Sequence, residues 1–343
     1  MMEIAKTNEQ SFEELIEKAL VGSTREERGE VAVVDAQHPG EDQFYWGLPK
    51  DMDNKLAIDT RRLWSFLEAT QADELAKYKG GDIRRDLPER IKNTIDQFGV
   101  LTALRKPIEI LNIKLNLFYP KPTASDSEEA RRLYSQNQFS VTRQLTFSER
   151  RPGLEIDMAI FVNGIPLFTI ELKNPWTYQT AKYDGEKQYR EERDPRETLL
   201  KFGHCLAHFT MDKDEVYFTT KLDKDKTYFM PFNKGLPDGK GAGNPVNPNG
   251  YATSYMWEHI FQKDTISDII SNYSLLDYGK PKKDANGRTI QIPHVLKNAK
   301  KLIFPRFHQL DVVTKLVDDV AENGVGKTYL IEHSAGSGKS NSL

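Results

Sequence analysis

Two short apolar runs joined by Asn163-Gly164 form the clearest local pattern in the sequence. The first run covers residues 155–162 and the second covers residues 166–173, and both are rich in β-branched and aromatic side chains. Short runs of this composition on either side of an Asn-Gly pair are typical of a β-hairpin. The pattern therefore predicts two antiparallel strands around which the rest of the chain is organised.

Three charged residues interrupt this apolar pattern: Asp157, Glu171 and Lys173. Because side chains alternate along a strand, Glu171 and Lys173 share one face. A two-residue Asn-Gly turn would leave Asp157 on the opposite face from Glu171. A three-residue loop with Gly164 as a left-handed bulge residue would place Asp157 opposite Thr169, and all three charges would converge. We predict the bulged register.

Two carboxylates and an ammonium on one face suggest a site for a hard cation. Asp157 and Glu171 would bind Mg²⁺ through oxygen, and phosphate oxygens and water would complete the shell. The ion would polarise a phosphorus centre and lower the pKa of an attacking water. Lys173 would orient that water or stabilise the charge that builds on the phosphate. The alternative is a solvated salt-bridge cluster, which this loose pattern does not exclude by itself.

The remaining periodicity predicts a mixed α/β fold. Ser11 and Glu14 are spaced as a capping box at the start of a first helix. Residues 231–250 are rich in Gly, Pro and Asn and predict a long excursion. Further helices are predicted at 58–76, 91–100, near 180–190 and at 255–276, and further strands at 108–118 and 139–147. Residues 202–209 and 215–221 predict either two more strands or a helix end and a strand.

Composition narrows the class of protein. A length of 343 residues allows about two domains. The single cysteine, Cys205, excludes an intrachain disulfide and fits a reducing cytoplasm. No run approaches the roughly 20 apolar residues that span a membrane, and no export signal is visible. His204, Cys205 and His208 lack the further ligands of a zinc site. The net charge of −3 means that contact with DNA would require a local basic patch.

A second chemical signal lies at the end of the sequence. The apolar run at 328–331 predicts a buried strand, and a glycine-rich turn follows it. Such a turn cradles phosphates with backbone N–H groups, with Lys reaching the β/γ oxygens and Ser binding Mg²⁺. His333 stands where the full pattern has glycine. The predicted ATP-binding residues here are Gly336, Ser337, Gly338, Lys339 and Ser340.

These motifs resemble the PD-(D/E)xK nucleases and, more narrowly, the endonuclease domain of type I restriction enzyme R (motor) subunits. One departure is Ile156, where that family usually has proline before the first aspartate. The resemblance covers most of the chain and is carried by RQLTFS (143–148), EIDMAIFVNGIPLFTIELKNP (155–175) and QYREERDPRE (188–197), and by later strings at 202–222, 232–245 and 255–261.

The resemblance implies an architecture and two cofactors. It implies an α/β fold with a PD-(D/E)xK domain, a mixed sheet flanked by helices, at 1–275. A linker at 276–298 and the first part of a RecA-like ATPase motor at 299–343 would follow. Mg²⁺ would serve the nuclease site, and ATP would serve only the complete motor. Since no acidic metal-binding strand follows residue 340, we expect no ATPase activity from this chain alone.

The resemblance also implies supporting residues. Asp157, Glu171 and Lys173 would be catalytic, and Glu13 on the first helix is a candidate third metal ligand. Basic residues near the hairpin, Arg143 among them, would suit DNA phosphates. Arg190 and Arg193 would suit a helix that faces DNA.

Nucleases of this kind often carry a glutamine and a tyrosine that bind DNA or position the metal site. We predict Gln188 and Tyr189 for this pair, because the residues around them match the family better than those around Gln179 and Tyr183. Gln309 lies in a string that resembles the adenine-reading motif of superfamily 2 motors.

The predicted function is Mg²⁺-dependent cleavage of double-stranded DNA in the cytoplasm, with no membrane partner. The resemblance implies methyltransferase and specificity subunits as partners, and these would read the target sequence. The alternatives are a nuclease–helicase of DNA repair or recombination, a catalytically inactive DNA-binding or assembly module, and an ATP-binding switch protein.

Overall fold

A computed structural model describes residues 2–29, 39–123, 125–174, 178–236, 241–280, 282–283, 289–290 and 293–332. Fifteen strands and nine helices lie in these ranges. The strands are β1 (Tyr45–Trp46), β2 (Met52–Asp53), β3 (Ile58–Asp59), β4 (Ile108–Ile110), β5 (Ile113–Leu115), β6 (Phe139–Thr146), β7 (Glu155–Val162), β8 (Ile165–Leu172), β9 (Ala207–Met211), β10 (Val216–Thr219), β11 (Met230–Pro231), β12 (Leu275–Asp277), β13 (Lys282–Lys283), β14 (Thr289–Ile290) and β15 (Lys301–Ile303).

A seven-stranded mixed sheet forms the centre of the fold, in the order β1-β6-β7-β8-β9-β10-β11. The β1–β6 and β8–β9 pairs are parallel, and the other neighbouring pairs are antiparallel. The predicted mixed α/β class with a sheet flanked by helices is confirmed.

The helices flank this sheet or lie at its edges. The predicted start of the first helix at Ser11 is wrong, because the helix begins at Met2. The upstream residues contain no glycine or proline that would end it. The helices are α1 (Met2–Val21), α2 (Arg25–Arg28), α3 (Thr60–Leu75), α4 (Ile83–Phe98), α5 (Val100–Arg105), α6 (Glu128–Ser135), α7 (Glu186–Glu191), α8 (Lys263–Asp268) and α9 (Phe307–Asn323), with π-helical turns at Ala181–Gly185, Met256–Ile260 and Ile269–Tyr273.

The β7–β8 hairpin forms where predicted, but its turn differs from the prediction. Val162 pairs with Ile165, so the loop has two residues, and both have positive φ, 51° at Asn163 and 80° at Gly164. This is a type I′ geometry. A Cβ on Gly164 would lie 2.2 Å from the carbonyl oxygen of Asp59, so only glycine fits there.

A bulge inside β8 gives a register that differs from the predicted one, because Thr169 pairs with Ala159 and not with Asp157. Phe161 pairs with Pro166 and Ile160 pairs with Phe168, which leaves Leu167 as an extra residue. From there the pairing continues in step to Met158 and Ile170. One further position in this register brings Asp157 opposite Glu171. The predicted position of the bulge is therefore wrong, and the shared face arises from a bulge that lies further along the strand.

The predicted single strand at 108–118 is instead a short hairpin of β4 and β5. Ile110 pairs with Ile113. Leu111 turns the chain with a φ of +48° and is exposed. The buried apolar positions change from Ile108 and Ile110 before the turn to Ile113 and Leu115 after it, and the single-strand prediction overlooked this shift of one residue.

The central sheet is buried on both faces. Alternate residues of β7 enter two different apolar clusters: Met158 and Ile160 join the larger one, and Ala159 and Phe161 join the smaller one. The larger cluster includes side chains of α1, α3, α4 and α5. The smaller cluster includes Tyr189 of α7.

The predicted linker at 276–298 does not separate two cores. Strand β12 pairs with β15, which lies beyond the predicted linker. Leu296 and Phe304 are buried in the larger cluster, and the Phe304 ring lies 5.9 Å from those of Phe168 and Phe209. Residues up to Leu310 therefore belong to the same core as the hairpin, because their apolar side chains complete it.

The predicted strand at 328–331 does not form in the structure. Residues 324–332 have no regular secondary structure, and Leu330 is 87% exposed. A strand requires a hydrogen-bonded neighbour, and none of the described strands lies beside this segment. The predicted phosphate-binding residues 336–340 lie outside the described residues. None of the helices described is long and apolar enough to cross a membrane.

Candidate active site

The carboxylate of Glu171 lies at the end of β8 and is fully buried, with 0% of the residue exposed. Its Oε1 accepts a hydrogen bond of 2.6 Å from Nε of Arg193. Its Oε2 is buried and has no hydrogen-bond partner in the described part of the chain. Burial, and then the negative charge of Asp157, raise the pKa of Glu171 to about 8 against the opposing charges of Arg193 and Lys173.

Asp157 lies at the point where the β7–β8 ladder ends. Its Oδ2 accepts a hydrogen bond of 2.7 Å from the backbone N–H of Leu172, and the residue is half-buried. This bond takes the place of the next ladder bond and fixes the carboxylate beside β8. Because Asp157 acts on the pKa of Glu171, the two carboxylates belong to one electrostatic cluster.

Lys173 follows β8 directly. Its backbone N–H donates to the carbonyl oxygen of Met211, which extends the parallel β8–β9 pairing by one residue. The residue is 7% exposed, and its positive charge counters the raised pKa of Glu171. The structure thus brings Asp157, Glu171 and Lys173 into the same cluster. Their chemical roles stay predictions.

Arg193 is a member of this cluster that the sequence did not assign to it. We predicted a position on a DNA-facing helix, and this is wrong because only 3% of the residue is exposed. Its guanidinium contacts Glu171 and lies over the ring of Phe147, at 5.9 Å from the centroid. A buried Glu171 requires a positively charged partner, and this was the signal that the sequence offered. Arg193 lies twenty-two residues farther along the chain, so the sequence does not show that it is this partner.

Tyr189 lies beside the cluster but has no exposed surface for DNA. Its hydroxyl bonds that of Thr169 at 2.8 Å, and Thr169 in turn bonds Nδ1 of His208 at 2.8 Å. Burial lowers the pKa of His208 to about 3, so the ring is neutral. Of the two predicted roles for Tyr189, contacting DNA or positioning the metal site, its buried position is compatible with the second, and its role stays a prediction.

The other members of the two Gln–Tyr candidates are more accessible. Gln188 on α7 is half-buried, and its side chain makes no hydrogen bond to the described residues. Gln179 and Tyr183 are exposed, with 71% of Tyr183 open to solvent. The two residues of the predicted pair therefore differ in burial: Tyr189 lies in the interior, and Gln188 is partly exposed.

Glu13 and Arg143 form a different cluster. Nε of Arg143 donates to Glu13 at 3.0 Å, and its NH1 contacts Glu17 at 2.8 Å and Glu26 at 3.0 Å. Arg143 pairs across the ladder with Met158, one residue from Asp157 and on the alternate face. Arg143 is buried and its guanidinium is paired with these carboxylates, and its predicted contact with DNA phosphate stays a prediction.

Arg190 is only partly available to a ligand. Its NH2 contacts Glu186 at 2.7 Å and the carbonyl oxygen of Thr227 at 3.2 Å, and its guanidinium lies over Phe229. Farther along the chain, Oε1 of Gln309 accepts the backbone N–H of Arg306 at 2.9 Å. Gln309 therefore supports the first turn of α9, and its adenine-reading role stays a prediction.

The donor set at the hairpin fits a hard divalent cation in chemistry and charge. The described residues contain no group of three or more His, Cys, Asp or Glu side chains arranged for a metal ion. Glu13 lies in the Arg143 cluster, and its role as a third ligand stays a prediction. Asp157 and Glu171 would supply two carboxylates, as Mg²⁺ sites commonly do, with water and substrate completing the shell. The buried Oε2 of Glu171, which has no partner, is the atom that such an ion would satisfy.

Two comparisons with known proteins find the same kind of protein that the sequence motifs resemble. Residues 67–227 match the family model described as the type I restriction enzyme R protein N terminus. The chain is also 26% identical over 215 residues to the type I restriction enzyme HindI endonuclease subunit of Haemophilus influenzae. That alignment covers 61% of this chain and 18% of the relative, so the chain spans only a small part of the relative's length. The two matches confirm the resemblance that the motifs predicted, which is to the N-terminal region of type I restriction enzyme R subunits.

Proposed function

We propose that this chain carries a PD-(D/E)xK endonuclease site that cleaves double-stranded DNA with Mg²⁺ in a restriction system. The observation that supports it most is the pairing of Asp157 with Glu171, whose Oε2 is buried without a partner. A buried pair of like charges is costly unless a cation or protons compensate it. A divalent ion between the two carboxylates would remove that cost.

In this proposal each residue of the cluster has a separate task. Asp157 and Glu171 would hold a Mg²⁺ ion, and the backbone N–H of Leu172 orients Asp157. When bound, such an ion would supply positive charge to the phosphate and lower the pKa of the attacking water. Lys173 orients the water or stabilises the negative charge that develops on the phosphate. Glu171 and Lys173 are both largely buried, which strengthens these interactions.

The larger assembly is also part of the proposal. The relative's name describes an endonuclease subunit of a type I restriction enzyme. We infer that this chain acts within a multi-subunit complex with methyltransferase and specificity subunits, that ATP-driven translocation by the complete subunit precedes cleavage, and that residues 336–340 bind ATP phosphates there. A nuclease–helicase of repair remains the alternative with the same chemistry.

Metal titration of Asp157→Ala tests the nuclease proposal. We expect the wild-type chain to bind Mn²⁺ or Mg²⁺ and the variant to lose this binding, because it lacks one of the two carboxylates. Isothermal titration calorimetry at constant pH measures both affinities, and thermal unfolding of each protein establishes that it is folded.

A matched control is Asp214→Ala, since Asp214 is an exposed carboxylate that pairs with Lys213. This variant should bind the metal as the wild type does. Equal binding by wild type and Asp157→Ala would remove the nuclease proposal and favour a structural cluster in an assembly module.

A further inference from the structure

The two oxygens of Glu171 have different surroundings, although they belong to one carboxylate. Oε1 receives the 2.6 Å hydrogen bond from Arg193, and Oε2 is buried with no partner. A carboxylate can accept at both oxygens. The arginine therefore fixes one oxygen and leaves the other available in a defined direction.

Arg193 is held so that it can do this. It lies just after α7, which ends at Glu191, and its guanidinium is buried between Glu171 and the ring of Phe147. Its other charged contact is with the exposed carboxylate of Glu192 at 4.0 Å. The planar guanidinium keeps its donor geometry fixed in such a position, unlike a flexible ammonium.

The charges of the cluster also favour an orienting role. Asp157 and Glu171 carry two formal negative charges, and Lys173 and Arg193 carry two positive ones. Arg193 is too deeply buried to reach a substrate by itself, since its side chain is only 2% exposed. It therefore acts on the reaction only through the residue that it contacts.

We propose that Arg193 is a positioning residue that clamps Glu171 through Oε1 and so presents Oε2 to the catalytic metal ion. This inference rests on the proposed nuclease site and adds a residue to it. Groups that hydrogen-bond a metal ligand in this way orient it, and their loss typically costs about 10–100-fold in metal affinity.

The test compares the Mn²⁺ affinity of the whole chain with that of three variants at one constant pH. Arg193→Met removes the charge and the donor, and we expect about tenfold weaker binding. Arg193→Lys keeps the charge but not the planar donor, and its affinity should lie between those of the wild type and Arg193→Met. Arg105→Met is the control, because Arg105 is an exposed arginine away from the cluster whose guanidinium bonds the backbone carbonyls of Ile270 and Ser274.

Arg105→Met should bind Mn²⁺ as the wild type does, even if it unfolds at a lower temperature. Wild-type affinity in Arg193→Met, or an equal loss in Arg105→Met, would overturn the positioning role. If Arg193→Met does not fold, Arg193→Lys decides, and unchanged affinity in that variant would overturn it.

The variant Asp157→Ala distinguishes failure of the role of Arg193 from failure of the proposed metal site. Loss of binding in Asp157→Ala together with wild-type binding in Arg193→Met would reject only the role of Arg193. Retained binding in Asp157→Ala would reject the metal site itself.

Discussion

Lys173→Ala is expected to reduce DNA cleavage by about 10²–10³-fold, the usual cost of removing one group that stabilises transition-state charge. Lys173 is buried beside Glu171, so a water molecule that enters in its place cannot supply the positive charge of its ammonium. Metal binding should persist, since both carboxylates remain. The measurement is conversion of supercoiled plasmid to linear DNA by the complex that we propose, with the proposed ATP-driven translocation followed in parallel.

Lys213→Ala serves as the control, because Lys213 is an exposed lysine paired with Asp214. It should cleave DNA at the wild-type rate. Loss of both cleavage and translocation in Lys173→Ala would show that Lys173 supports the fold or the motor and not the chemical step.

Glu171→Gln is expected to stabilise the metal-free protein at pH 8 by up to about 4 kcal/mol. The folded protein raises the pKa of Glu171 from its ordinary 4.5 to about 8, mainly by burial. Between these two values the unfolded chain releases the proton more readily than the folded chain. Wild-type stability therefore falls as the pH rises through this window, and glutamine, which does not ionise, avoids the loss.

Thermal unfolding of both proteins between pH 5 and pH 8.5, without divalent ions, measures this difference. The unfolding temperature of Glu171→Gln should exceed that of the wild type at pH 8, and the gap should narrow towards pH 5. A gap of constant size would mean that Glu171 does not titrate in this window. Saturating Mg²⁺ should stabilise only the wild type if the ion binds the ionised carboxylate.

The hairpin was predictable because its signals are local. Asn163-Gly164 encodes the turn through the φ values that these residues accept, and the apolar runs encode the strands. The bulge at Leu167 has a weaker signal, which is Pro166, because proline cannot donate to the ladder and within sheets occurs mainly at edges and bulges. The prediction that Asp157 and Glu171 share a face therefore rested on the wrong turn.

The partners of the site residues were harder to predict, because they come from distant parts of the chain. Arg143 and Arg193 both looked like phosphate-binding residues in the sequence, yet each neutralises buried glutamates. Charge type is visible in a sequence, but burial depends on tertiary packing. The packing of residues beyond the predicted linker was hidden for the same reason, since Phe304 completes a core formed mainly by residues far upstream, and the predicted division into domains stays a prediction.

The extra residue in β8 has a consequence for how this region can change over time. Substitutions along β7 and β8 alter individual contacts but keep each side chain on its own side of the sheet. Loss of one residue between Gly164 and Glu171 would cancel the offset and rotate the acidic side chain into the apolar layer with Met158 and Ile170. The number of residues between Asp157 and Glu171 is therefore constrained. We expect that insertions or deletions there keep both carboxylates on one face only when they change the length by an even number of residues.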